Sequence, residues 1–220
     1  MSDLRHVFAF SLIAVALATS EVIRGRAYIF KAVPNGLPSQ IVGSIDFEQT
    51  GSFLKLNGSI LGLAPGQHGF HIHEKGDIGN GCLAAGAHYN PHKLTHGAPD
   101  DSNRHVGDLG NIETPPDGFT PISVSDSLAS LTGPYSIVGR SVVVHEKIDD
   151  LGRGTSDLSK TTGDAGGRLA CGIIGAVEEV TVEATTAGLP PLPLELPQGS
   201  GASKLASCLI FAPVLLRNFL

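Results

Sequence analysis

Leu54-Lys55-Leu56-Asn57-Gly58-Ser59-Ile60 alternates apolar and polar residues, the period that gives a strand one face for a core and one for water. Ile122-Ser123-Val124-Ser125 repeats the pattern. Further out, Ala27-Tyr28-Ile29-Phe30, Gly43-Ser44-Ile45-Asp46-Phe47 and Val142-Val143-Val144-His145 are short β-branched or aromatic runs bounded by turn residues. No helical period persists for three turns. The expectation is all-β: an antiparallel Greek-key sandwich or barrel of about eight strands, interrupted by two long loops at roughly 74–110 and 146–168. Loops of that length in a compact domain serve a purpose, because a ligand, metal or disulfide must offset their ordering entropy.

Composition agrees. The 220 residues include 28 glycines and 14 prolines, and only 16% are charged, which suits a turn-rich β protein. Fifteen Lys+Arg against 21 Asp+Glu leave a net charge of −6, so a nucleic-acid-binding surface is not expected. A hydrophobic content of 41% excludes a disordered chain.

The ends read differently from the middle. Residues 1–18 carry Arg5, an apolar run from Val7 and small residues Ala16 and Ala18, the layout of a cleaved secretory signal peptide. The expected domain covers 22–183. Residues 184–204 read as a Pro/Gly/Ser-rich linker, followed by an apolar tail, Leu205–Leu220. That tail is interrupted by Pro213 and Arg217 and is short for a spanning helix. A lipid-anchor signal, a short membrane segment and a free tail all remain open for it. Asn57-Gly58-Ser59 is an N-glycosylation acceptor pattern.

Nine histidines supply the chemistry. His71 and His73, two apart in Gly69-Phe70-His71-Ile72-His73-Glu74, project from one face of an extended strand within reach of one metal ion. His88, His96, His105 and Asp108 follow, and His145 closes the run Val142-Val143-Val144. Imidazole suits copper and zinc; three His with one carboxylate make a closed, structural zinc site.

The chain resembles the copper/zinc superoxide dismutase family over nearly all of 24–177. The resemblance rests on the His71/His73 segment, Gly86-Ala87-His88-Tyr89-Asn90-Pro91, Arg104-His105-Val106-Gly107-Asp108-Leu109-Gly110-Asn111, Val143-Val144-His145-Glu146-Lys147 and Gly163-Asp164-Ala165-Gly166-Gly167-Arg168-Leu169-Ala170-Cys171-Gly172. It implies copper on His71, His73, His88 and His145, and zinc on His88, His96, His105 and Asp108, with His88 bridging. It also implies that Asp149 accepts hydrogen bonds from His71 and His96, and that Cys82 pairs with Cys171 while Cys208 stays outside the pair. Superoxide is then the substrate. Arg168 would orient that anion, with Thr162 and Lys160 guiding it, although Leu158 replaces an acid beside Asp157 and Lys160 is shifted by one. His68 and His92 match no ligand position and read as packing and surface residues. The resemblance further implies a homodimer, with Ile173-Ile174-Gly175 and Ile137-Val138-Gly139 as contributors. A relative that binds metal without catalysis would lack ligands, and here the full set and Arg168 are present.

Overall fold

The structure, a computed structural model, describes residues 22–177. Residues 1–18, 184–204 and 205–220, with Cys208, lie outside the described residues. Alternation does the building. In β2 (Ile41–Thr50) Ile45 and Phe47 are buried while Asp46 and Glu48 face water; in β3 (Phe53–Leu61) Leu54, Leu56 and Ile60 point in while Lys55 and Asn57 point out. Gly51, at φ 59°, turns β2 into β3, the left-handed position that a two-residue hairpin asks for.

The other strands are β1 (Val22–Lys31), β4 (Gly66–His73), β5 (Asp108–Thr114), β6 (Phe119–Asp126), β7 (Ser141–His145), β8 (Arg168–Ile173) and β9 (Gly175–Val177), with a one-turn helix α1 (Ser159–Thr162). Hydrogen bonding runs β5-β4-β7-β8-β1-β2-β3-β6, every pair antiparallel, with β9 also beside β1. The neighbours β3/β6, β4/β7 and β1/β8 are distant in sequence, as Greek-key connections require. At the seam the two outermost strands, β5 and β6, are tied by a buried Thr114–Thr120 hydroxyl hydrogen bond of 2.8 Å, so the sheet curls into a nearly closed barrel.

Among the described residues nine strands appear where about eight are expected, because the last one breaks at Ile174. That side chain is fully buried, and its backbone N–H and C=O bond to Arg140 and Gly139 instead of continuing the ladder. The segments expected at a dimer patch are uneven in burial. Ile137 and Ile174 belong to this chain's own core, whereas Ile173 is 42% exposed. Tyr28 and Val177 are the large exposed apolar residues of the flanking strands β1 and β9.

Asn57 stands mid-strand on the solvent face, between Asp46 and Ser123. His68 is buried, with Nδ1 at 2.8 Å from the His145 carbonyl and Nε2 at 2.8 Å from that of Ala64. His92 is exposed, its ring edge-on to Tyr135.

Candidate metal centre

β4 carries the first ligand candidates, and its burial does not alternate. Phe70 and Ile72 face the barrel core, while His71 and His73 face outward beneath the long loops, 0% and 1% exposed. Antiparallel pairing places Val143 opposite His71 and Ser141 opposite His73, so His145 emerges from the same outer face of β7. Bulges interrupt the ladders between Gly69 and His71 and between Val144 and His145, and a bulge re-aims the side chains beside it. The first loop returns His88 to the edge of β4 through a bridge to His73.

Two adjoining cages result. One ligand atom from each of His71, His73, His88 and His145 lies within 4.8 Å of the others, and the same holds for His88, His96, His105 and Asp108. His88 is common to both. In the second cage Asp108 Oδ1 stands 2.9 Å from His88 Nδ1, 3.0 Å from His96 Nδ1 and 3.1 Å from His105 Nδ1. A tetrahedral ion bound at about 2.0–2.1 Å has edges of about 3.3 Å, so the spacing fits zinc. The second carboxylate oxygen is occupied by the backbone N–H groups of Gly97 and His105, which fixes which oxygen faces the cage.

The donor set fits metal for a further reason. His71 Nδ1, His88 Nε2 and His96 Nδ1 are buried without a hydrogen-bond partner. The 3.0 Å approach of His96 to Asp108 lacks hydrogen-bond alignment, as expected for atoms that surround a common point. Across the first cage His73 Nε2 and His145 Nε2 are 3.2 Å apart. Orphaned buried ring nitrogens are costly unless something fills the space between them.

The outer nitrogens are tied down. Asp149 accepts from His71 Nε2 through Oδ2 and from His96 Nε2 through Oδ1, both at 2.8 Å. Its own backbone is held by Asn111, which accepts from Asp149 N–H at 2.7 Å and donates to its carbonyl at 2.9 Å. This sets the tautomers and leaves the inner nitrogens to face the cages. Gly163 is required above Asp149: φ is 65°, and a Cβ there would fall 1.8 Å from Asp149 Oδ1.

Arg168 Nη1 donates to the Cys82 carbonyl at 2.6 Å and Nη2 to that of Gly86 at 2.5 Å. Cys82 is bonded to Cys171. The Thr162 hydroxyl bonds the Leu158 carbonyl at 3.2 Å. Lys160, expected to guide an anion, donates its ammonium to the Gly152 carbonyl, while its own carbonyl accepts from His96 N–H at 2.9 Å. Asp157 and Leu158 are exposed.

Protonation follows from burial. Desolvation, then repulsion against sharing the cage with a protonated His88, holds His71 and His73 well below the ordinary histidine range; burial also lowers His88 and takes His145 down to about 4. Burial would lower His96 too, but the adjoining carboxylates of Asp108 and Asp149 push it up to about 9. Burial opposes ionisation of Asp108, yet bonds from His105 and His88 and the close approach of His96 keep it far below the usual carboxylate range. The first cage therefore presents neutral imidazoles, the form that binds metal.

A pH signature of the metal-free chain follows. Four histidines neutral in the fold contribute stability above the ordinary histidine value of 6.5 and lose it as pH falls below that value, His145 through about 4. Asp108 adds acid sensitivity at still lower pH. His96 contributes in the opposite direction, with its share lost as pH rises from 6.5 through about 9. Denaturant midpoints of chelator-stripped protein are expected to peak near neutrality and to fall more steeply on the acid side; a flat acid limb contradicts this.

An antiparallel Greek-key barrel with two histidine cages sharing one ring defines a dinuclear metalloprotein. The profile of copper/zinc superoxide dismutase matches residues 41–174. An extracellular superoxide dismutase (Cu-Zn) of Caenorhabditis elegans is 66% identical over 212 residues, covering 96% of this chain and 95% of that one. One from Haemonchus contortus is 68% identical over 156 residues, covering 71% and 85%. The solved structure of the clock protein EA4 superposes with a TM-score of 0.63 at 42% identity, over 75% of this chain and 100% of that one. The chain belongs to the copper/zinc superoxide dismutase family.

Proposed function

We propose that this chain dismutates superoxide outside the cell, with copper held by His71, His73, His88 and His145 and zinc by His88, His96, His105 and Asp108. Two superoxide anions and two protons become dioxygen and hydrogen peroxide. The observation that carries the reading is the pair of buried cages joined through His88, with orphaned nitrogens facing inward. Copper, when bound, would supply the one-electron redox chemistry of both half-reactions.

The residues have separable tasks. His88 Nε2 holds and releases the proton that leaves with peroxide. His96, His105 and Asp108 fix the far side of that ring, and Asp149 keeps His71 and His96 in one tautomer. Arg168 offers a planar fork to the anion, its guanidinium already aimed by two backbone carbonyls. Its charge matters because the chain is acidic, with a net −6, and attraction of an anion must be local. Arg168→Ala is expected to slow superoxide decay by about ten- to a hundredfold with both metals retained, and to flatten the salt dependence of the rate. An unchanged rate excludes the role.

The test of the whole reading is metal analysis with a superoxide-decay assay on the secreted protein. About one copper and one zinc per chain, with decay stopped by copper chelation, is expected; a chain that takes up neither metal ends it. Secretion is supported by the leader-like residues 1–18 and by the extracellular naming of the relatives. A homodimer is supported by exposed Ile173, Tyr28 and Val177, and sedimentation tests it. Membrane attachment is supported by the apolar run in 205–220, and a glycan on Asn57 by its exposed acceptor pattern. Intact mass of the mature protein reads both.

A further inference from the structure

Arg104 and Asp126 are 4% and 5% exposed, and neither belongs to the clustered candidate ligands. Arg104 Nη2 donates to Asp126 Oδ2 at 2.5 Å. Its Nη1 donates to the backbone carbonyl of Asp108 at 2.9 Å, with a longer contact of 3.4 Å to that of His105. The other oxygen, Asp126 Oδ1, accepts from the backbone N–H groups of Leu128 and Ala129 at 2.7 and 2.6 Å. A continuous path thus runs from the loop after β6, through a carboxylate and a guanidinium, to the backbone of two groups of the second cage.

A buried ion pair is a poor stability device, because desolvating two charges consumes most of the attraction between them. What a guanidinium does well is hold several acceptors in one fixed plane. We infer that Arg104, set by Asp126, is a positioning residue for the second cage: it fixes the backbone of Asp108 and His105, so that Asp108 Oδ1 and His105 Nδ1 stay 3.1 Å apart. The inference rests on the reading of that cage as the zinc site.

The test uses the metal-loaded full chain and follows zinc release to a coloured chelator. Arg104→Lys keeps the charge and loses the fork. It is expected to release zinc about tenfold faster or more, as losses around a ligand shell commonly do, and to shift the visible spectrum of cobalt(II) placed in the zinc site. Asp126→Asn keeps the acceptor for Leu128 and Ala129 and loses the charge that orients Arg104; it is expected to lie between that variant and the wild type. Gln49→Ala is the control, because the Gln49 amide oxygen accepts from Leu131 N–H at 2.6 Å in the same loop without touching Arg104. It should lower Tm and leave zinc release unchanged. Wild-type release rates in both Arg104→Lys and Asp126→Asn overturn the inference. So does equal acceleration by Gln49→Ala at the same loss of Tm, which assigns the effect to general loosening. A wild-type chain that binds no zinc brings down the reading of the cage, and the inference with it.

Discussion

His88→Ala is expected to reduce superoxide decay to the spontaneous rate and to weaken retention of both metals. His88 is the one residue shared by the two four-group cages. Its ring centroid lies 4.0 Å from that of His71 on one side and 5.3 Å from that of His96 on the other. Nδ1 faces Asp108 at 2.9 Å and Nε2 is buried without a partner, so each nitrogen is committed to a different cage. A ring that held two cations would give up both protons only because positive charge would then flank it. No neighbouring side chain can replace that function, since the other six donors each reach one cage. Alanine therefore leaves three donors on either side and removes the atom proposed to carry the proton to peroxide. His92→Ala is the matched control: that ring is exposed and packs on Tyr135, and its loss should leave metal content and rate unchanged. A His88→Ala protein that still turns over superoxide near the wild-type rate would exclude the shared-ring mechanism.

Legibility in the sequence follows the physics of each element. Leu54, Leu56 and Ile60 read directly as a strand face because one side of β3 meets water. β4 does not alternate, since the loops bury its second face; His71 and His73 stand out there only by residue type and spacing. The convergence of Asp108 on His88, His96 and His105 has no local period, because the loop carrying those histidines is ordered by long-range contacts. Residue type grouped the four, and the family resemblance assigned them to one site. The break at Ile174 was invisible for a related reason: a β-branched residue in an apolar run looks like uninterrupted strand, and what ends the ladder is a pair of backbone bonds to the 139–140 turn. Arg104 and Asp126, 22 residues apart, carry no sequence sign of their pairing. Lys160 is given a guiding role by the resemblance, and the contact of its ammonium with a carbonyl of its own loop carries no local sequence sign.

Replacing both Cys82 and Cys171 by serine is expected to cost about 4–5 kcal/mol of stability, since the bond closes a loop of 89 residues and cross-linking restricts the unfolded chain by an amount that grows with loop length. Denaturant unfolding of the metal-loaded double variant measures it. A second effect follows from what the bond holds. Cys82 sits at φ 66°, ψ 0°, a left-handed conformation that costs a residue with a side chain of order 1–3 kcal/mol and persists only where the surroundings impose it. The carbonyl of that same residue anchors Arg168 at 2.6 Å, and the short 3-10 turn Leu83–Ala85 carries the chain on to the Gly86 carbonyl that anchors it at 2.5 Å. Without the tether the backbone at 82 relaxes toward ordinary angles, and both anchors move. The folded double variant should therefore keep its metals and lose rate in the manner of Arg168→Ala, with a weakened dependence on ionic strength. Stability lost with the rate intact would show that the disulfide restrains the chain without aiming the arginine. Stability unchanged would mean that the 89-residue loop is already restrained when unfolded, contrary to the chain-entropy account.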